Sequence, residues 1–436
     1  MTSPLNPDLW LAELNGDEDK AFLIEGIKTG FKLAPPHSEF APAHQDNYKS
    51  ATNANAKPAV EQTILEEIAA GNYIVTDNKP IIISALGAIP KPDSAEVRLI
   101  HDCSRPIGKG LNDYIQTQSF KFQTLDDAVA LLRPNYFMAK IDLRHAYRSV
   151  PIHPSSFAAT GLRWHFTGHN HYTYMYDTRL PFGAKSSPEI FHRLTQSVRR
   201  MMARRGFDLV VVYLDDFLVI GQTKEECQFA FDTLLQLLQD LGFQISWHKV
   251  LRPTQKLVFL GVELDTLKCE MALPPAKLDE LHQLVTSFAS KRRATKKQLQ
   301  RLAGKLNWAC RVVYGGRTFL RRILDLMNTL PDNSTSQKLS SEFHADINWW
   351  QSFLRHFNGR CSFLQEQPTT DVQTDACPLA AGAYFRGDWF YHNFAVDSPE
   401  TADLHINHKE VLAQTLAASR WASHWQNQRE IGRAHV

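Results

Sequence analysis

The sequence predicts an α+β protein, and three observations carry that prediction. Short β-branched and aromatic runs bounded by turn residues alternate with helix-period segments as far as Asp265. Two adjacent carboxylates, Asp215 and Asp216, separate the apolar runs Leu209 to Tyr213 and Phe217 to Ile220, so the segment reads as a hairpin with charge at its tip. A basic helical stretch follows, and after it a second strand-and-helix pattern. At 436 residues the chain has room for two or three domains.

Taken in order, residues 1–59 are rich in Asn, Ala, Pro and Asp and are expected to form an N-terminal arm, extended apart from one short helix near Ala21 to Thr29. Val60, Ile64 and Ile68 then sit at helical spacing, and short apolar segments alternate with turns through Asn112. The strand Tyr136 to Ile141 runs into Asp142, and Glu225 to Leu241 is helical. Residues 60–265 therefore make one α+β domain. In 266–330, Leu299, Leu302, Leu306, Cys310 and Val313 repeat at helical spacing. Residues 331–370 are expected to be a connection, with Pro331 to Leu339 a polar linker. In 371–429 the pattern predicts strands at Asp371 to Asp375, Ala381 to Phe385 and Trp389 to Phe394, then a helix around Glu410 to Trp421.

Composition sets bounds. Apolar residues make up 43% and charged residues 22%, which excludes a collagen, a disordered tail and a disulfide-stapled miniprotein. With 48 Lys and Arg against 46 Asp and Glu, the net charge of +2 selects no partner class. Six cysteines without a CxxC pair argue against structural zinc and fit a reducing, intracellular compartment, cytoplasm or nucleus. No basic and apolar leader opens the chain, and the longest apolar stretch, Ile81 to Ile89, is too short to span a bilayer, so no membrane partner is expected. Oligomeric state is left open.

Charge beside a buried sheet is costly unless something neutralises it, and a divalent cation with oxygen ligands would do so. An Asp pair alone is more often a solvated turn. Asp142 adds a third carboxylate at the end of another strand. If the two strands are neighbours, the three converge, an arrangement that can hold two metal ions about 4 Å apart.

These motifs occur in the order found in reverse transcriptases, and the chain resembles that family from about Val60 onward. Asp142 matches the first palm aspartate, Leu180-Pro181-Phe182-Gly183 the loop under the incoming nucleotide, and Tyr213 to Asp216 the Y-x-D-D hairpin. Leu241-Gly242-Phe243 with Lys249 resembles the next palm segment, and Phe259-Leu260-Gly261 the hairpin that grips the primer. Arg98-Leu99-Ile100-His101-Asp102-Cys103-Ser104-Arg105-Pro106 resembles the fingers of DIRS-type retrotransposons, which carry a tyrosine recombinase. The resemblance implies a right-hand polymerase fold of fingers, palm and thumb, and an RNA-directed DNA polymerase that works by a two-metal mechanism. Asp142, Asp215 and Asp216 would hold two Mg²⁺, with Mn²⁺ a substitute. An RNA template, a DNA or RNA primer and deoxynucleoside triphosphates would be the partners.

The resemblance also assigns roles. Lys91 and Arg98 would bind the triphosphate, Arg in bidentate fashion and Lys as a point charge. Tyr147 would lie beneath the sugar and exclude a 2′-hydroxyl. Gly183 would let the backbone approach the nucleotide, and Phe182, where retroviral enzymes carry Gln, could only pack. The stretch from Lys291 to Arg322 holds eleven Lys or Arg and no Asp or Glu. Lys291, Arg292, Arg293, Lys296, Lys297, Arg301 and Lys305 would make it a thumb surface for the template–primer phosphates. Arg199, Arg200, Arg204 and Arg205 form a second basic cluster, either a template contact or a plain helix end.

Val372-Gln373-Thr374-Asp375-Ala376 and Ile406-Asn407-His408-Lys409-Glu410 resemble the start of a ribonuclease H domain, with Asp375 and Glu410 as its carboxylates. The domain is expected to be truncated. Ile431 to Val436 resembles a reading frame of a sequencing-library adapter, so residues 430–436 read as a scar. The alternative to the enzyme is a catalytically silent, polymerase-like scaffold that binds nucleic acid. Tyr147 and the ribonuclease H pattern count against an RNA-templated RNA polymerase.

Overall fold

The computed structural model describes residues 4–35, 37–90, 96–117, 119–363 and 372–424. They divide into two compact units, Met1–Leu267 and Lys268–Val436.

The first unit opens with helices α1 (Pro7–Glu13) and α2 (Lys20–Thr29). Asn6 caps α1 by accepting from Leu9 N–H, and Pro7 stands in the first turn, where it has no intrahelical donor to lose. Trp10, Leu14, Leu23, Ile27 and Phe31 are buried in the same core as the central sheet. The expected extended arm is thus corrected: the helix near Ala21 to Thr29 is there, but much of the segment is interior. Its core residues are spread over two short helices, so no single period reveals them.

The first unit next holds the hairpin of Ala85–Pro90 with β1 (Val97–Asp102). Helix Lys57–Ala69 packs Val60 and Ile64 against Leu86, Leu99, Trp164 and Met175. The central sheet is built on β2 (Phe137–Arg144), β3 (Val210–Tyr213) and β4 (Asp216–Gly221). β4 pairs antiparallel with β2 on one side and with β3 on the other, while Gln244–Ile245 and Leu251–Thr254 complete the sheet beyond β2. These strands are continuous apolar runs because α3 (Ser186–Arg204) packs on β3 and α4 (Lys224–Asp240) packs on β4 and β2. The hairpin Lys256–Phe259 and Val262–Asp265 closes the unit.

In the second unit, α5 (Lys296–Ala309) starts at a capping box of Thr295 and Gln298. It buries Leu299, Leu302 and Leu306 of the expected stripe, and Cys310 and Val313, just past its end, are buried too. The expected linker is instead structured. Ser336–Lys338 pairs with Arg293–Thr295, and buried Leu330 and Leu339 flank it. Within 331–370, helix α6 (Ser341–His356) packs Phe343, Ile347 and Trp350 inward against its neighbours, including helix Pro275–Ala289. The meander β5 (Val372–Ala376), β6 (Ala380–Phe385) and β7 (Asp388–Asn393) then carries α7 (Ile406–Trp421), at nearly the expected positions. No described helix is long and apolar enough to cross a membrane.

Candidate active site

The antiparallel register of β2 and β4 places Asp142 directly opposite Asp216. β3 and β4 are joined by the two residues Leu214 and Asp215, with Tyr213 paired to Asp216 across the turn. Leu214 takes φ +52°, and Leu143 N–H donates to the Asp215 carbonyl at 3.0 Å, tying the turn to β2. The two strands are therefore neighbours, as the sequence reading required, and all three carboxylates stand at one end of the central sheet.

Each facing carboxylate has a lysine. Lys249 Nζ lies 3.1 and 3.2 Å from the two Asp142 oxygens, and Lys140 Nζ lies 3.0 Å from Asp216 Oδ1. Burial pushes the Asp216 carboxyl up to about 6; Asp142 adds to this and Lys140 opposes it. Burial also raises Asp215, and the neighbouring Asp142 raises it further. Negative charge is thus in excess at this end of the sheet, and all-oxygen donors suit a hard divalent cation. Among the described residues, however, no group of three His, Cys, Asp or Glu side chains is arranged to hold a metal ion. The donor chemistry fits a cation, while the lysines answer part of the charge.

Tyr147 lies just beyond β2, in a short 3-10 turn, Tyr147–Ser149. Its ring stacks on Phe182 at 5.2 Å and leans on Phe191 of α3 at 5.3 Å. Burial and the nearby Asp215 hold its phenol neutral well above the usual range. Phe182 is exposed, so one face of the pair is open to solvent. The next residue in sequence, Arg148, is buried and donates to Asp177 at 2.8 Å and to Glu67 at 2.7 Å. Burial works to raise Asp177, but the Arg148 guanidinium holds its carboxyl below the usual range. This anchor escaped the sequence reading because its partners lie far apart in the chain.

Gly183 has a packing reason of its own beside the expected one. The space a side chain would need is taken by the carbonyl of His101 on β1, 1.8 Å from an added Cβ. Asn112 holds the same loop, donating to Gly183 O at 2.8 Å and accepting from Lys185 N–H at 2.8 Å. Arg98 is exposed on β1, and Lys91 lies outside the described residues. Phe259 is buried, whereas Leu260 and Gly261 form the tip of their hairpin with φ of +48° and +81°.

The basic residues divide. Lys296 Nζ donates to Leu330 O, Lys305 pairs with Glu280, Arg293 donates to Ser336 O, and Lys291 lies over the Phe288 ring. Arg292, Lys297 and Arg301 are exposed, and Gly304, three residues after Arg301 on α5, faces open space. The second cluster finds its partners within the first unit. Arg200 and Arg204 pair with Asp17, Arg205 pairs with Glu13, and Arg199 donates to Val210 O.

Asp375 is exposed on β5, on the opposite parity from Val372 and Ala376, which pack with the residues of α7. Glu410 is half-buried on α7, one turn before Ala413.

Residues 89–264 match the sequence profile of the family described as reverse transcriptase (RNA-dependent DNA polymerase). These residues carry a reverse transcriptase domain. Its relatives include the Gag-Pol polyprotein of gibbon ape leukemia virus, 28% identical over 175 residues, 40% of this chain and 10% of that one. Another is Protein P of duck hepatitis B virus (strain Germany/DHBV-3), 23% identical over 331 residues, 74% of this chain and 39% of that one. The chain thus spans about a tenth of the retroviral polyprotein and well under half of Protein P. Among solved structures, the foamy viral protease-reverse transcriptase dRH in complex with ds DNA superposes with a TM-score of 0.60 at 20% identity, covering 95% of this chain and 72% of that one. That likeness, with the mixed helices and strands, gives the reverse transcriptase domain an α+β polymerase fold.

Proposed function

We propose that the chain is an RNA-directed DNA polymerase that joins a primer 3′-hydroxyl to an incoming deoxynucleotide on an RNA template. The observation that carries the reading is the register of β2 and β4, which stands Asp142 opposite Asp216 with Asp215 at the adjoining turn. Those three residues would hold two Mg²⁺, or Mn²⁺ in substitution, which when bound would activate the hydroxyl and steady the leaving phosphate. The chain's own part is positioning. The Tyr147 and Phe182 rings form a platform that selects against a 2′-hydroxyl, Arg98 offers a bidentate phosphate contact, and Lys91, outside the described residues, is assigned the same role by the family resemblance. Phe259, Leu260 and Gly261 shape the primer hairpin. Arg292, Lys297 and Arg301, with Gly304 leaving room for close approach, are the part of the basic stretch suited to duplex phosphates.

The fingers segment Arg98 to Pro106 supports a DIRS-type retrotransposon as the source of the domain. Residues 60–265 are assigned to fingers and palm, 266–330 to the thumb, and 371–429 to a ribonuclease H-like part. Asp375 and Glu410 are its proposed carboxylates, two ligands where cleavage of a hybrid needs a fuller cluster to hold a pair of divalent ions.

A second reading has its own support. The two lysine pairs neutralise Asp142 and Asp216 without metal, as a silent nucleic-acid-binding scaffold would require. Primer extension on an RNA template with Mg²⁺ and deoxynucleotides separates the two. Asp215→Asn is expected to abolish extension and keep primer–template binding, and Tyr147→Ala to admit ribonucleotides. Binding without extension by the unmutated chain would favour the scaffold.

A further inference from the structure

β3 is the outermost strand of the palm sheet, which runs Gln244–Ile245, β2, β4, β3. An edge strand leaves alternate backbone groups unpaired, open to water or to another strand. On β3, side chains from two other segments meet them. Val212 N–H donates to Gln123 Oε1 at 2.9 Å, and Val210 C=O accepts from Arg199 Nε at 3.1 Å. Gln196 Nε2 of α3 donates to the same Gln123 oxygen at 3.2 Å, fixing which way that amide points. Beside it the Phe122 ring lies 5.3 Å from Tyr213, and on another side 5.2 Å from His192 of α3. The irregular segment 120–123 therefore lies along β3 and is stitched to α3.

Immediately past Tyr213 comes Leu214, with its φ of +52°. A residue with a branched side chain rarely adopts that conformation, and it persists where the surroundings fix it. Leu143 N–H holds the turn from the β2 side through the Asp215 carbonyl. Phe122, Gln123 and Arg199 hold it from the other side.

We propose that Phe122, Gln123 and Arg199 are positioning residues: a side-chain strap along the free edge of β3 that sets the Tyr213–Asp216 hairpin, and with it Asp215 and Asp216, in place for the reaction. The proposal rests on the polymerase reading of those carboxylates. It adds that the strap touches backbone and ring only, so its loss should lower the rate of the chemical step and leave duplex affinity unchanged.

The test uses the full chain. Gln123→Met removes the acceptor at similar volume. Hydrogen exchange at the Val212 amide should then quicken by about tenfold, the worth of one ordinary hydrogen bond. Amides paired between β2 and β4 should keep their protection. In primer extension kcat should fall by a similar factor, of order tenfold. The Mg²⁺ concentration for half-maximal rate should rise, with primer–template affinity and nucleotide KM unchanged. Gln123→Glu keeps an acceptor oxygen and should recover most of the rate. If Gln123→Met does not fold, Gln196→Leu releases the Gln123 amide without touching β3, and should give the same pattern at smaller size. Unchanged exchange at Val212 overturns the strap. Faster exchange with unchanged kcat and metal dependence overturns its role in positioning. An unmutated chain that extends no primer fails the polymerase reading alone, and exchange at Val212 still decides whether the strap exists.

Discussion

A methyl group added at Gly183 would stand 1.8 Å from the carbonyl oxygen of His101, a backbone atom that cannot swing aside as a side chain could. Gly183→Ala must therefore push the loop away from β1 or strain both, and overpacking of that kind costs about 3 kcal/mol. The expected outcome is a lower urea midpoint, with the nucleotide KM of the folded fraction nearly unchanged. A variant of normal stability and raised KM would favour the nucleotide-approach reading. At this scale the sequence revealed residues whose chemistry is local. Asp142, Asp215 and Asp216 each adjoin an apolar run, and the order of the motifs around them, more than any one of them, singles them out. Lys140 was legible in principle, because it stands two residues before Asp142 and so shares its face of β2. Asn112 and Arg148 were not, because their partners Gly183, Asp177 and Glu67 are brought to them only by the fold.

Helix α5 shows what a run of like charge does and does not say. Its apolar stripe was readable from spacing and is buried as expected. The seven basic residues assigned to duplex binding looked equivalent in sequence, yet Lys296 reaches the carbonyl of Leu330 and Lys305 pairs with Glu280. Period and charge count cannot tell a lysine that closes a helix end from one that faces solvent. The misread linker has a related cause: Ser336–Lys338 is polar and short, and is a strand only because Arg293–Thr295 lies beside it. The element therefore predicts two outcomes. Lys297→Ala with Arg301→Ala should weaken duplex binding for all sequences and flatten log affinity against log salt by about 0.9 per contact for B-form DNA. Lys296→Ala should instead lower thermal stability and leave that slope alone. Equal effects of the two changes on the salt slope would show that the observed division of charges does not govern binding.

Within the first unit the chain's opening residues matter more than their composition suggested. Trp10 is fully buried and donates from its indole N–H to Leu241 O at 3.0 Å, while Asn6 N–H donates to the same carbonyl. Gly242, at φ +98°, is pressed so close to Pro4 that an added Cβ would meet its carbonyl at 1.9 Å. Phe31 N–H donates to Pro151 O at 2.9 Å, which joins the end of this segment to the chain just past Tyr147. Asp17 and Asp19 pair with Arg200, and Arg193 pairs with Asp19, so acids near the N-terminus neutralise α3. Removing residues 1–33 would uncover that core and leave those arginines without their partners. Trp10→Ala alone should cost about 3–5 kcal/mol. The deletion is expected to yield an insoluble or unfolded first unit, measured by the loss of cooperative unfolding relative to the full chain. Acid should loosen the same attachment. Burial works to raise Asp17, but hydrogen bonds from Arg200 outweigh it and hold its carboxyl below the usual range. A depressed carboxyl adds stability above its unfolded pKa, near 3.9 for Asp, and loses it as pH falls through the lower folded value. Hydrogen exchange in α1 and α2 should therefore accelerate below about pH 4, and Asp17→Asn should show the faster exchange already at neutral pH. Full stability after deletion of residues 1–33, with unchanged unfolding of the central sheet, would return the segment to a dispensable arm.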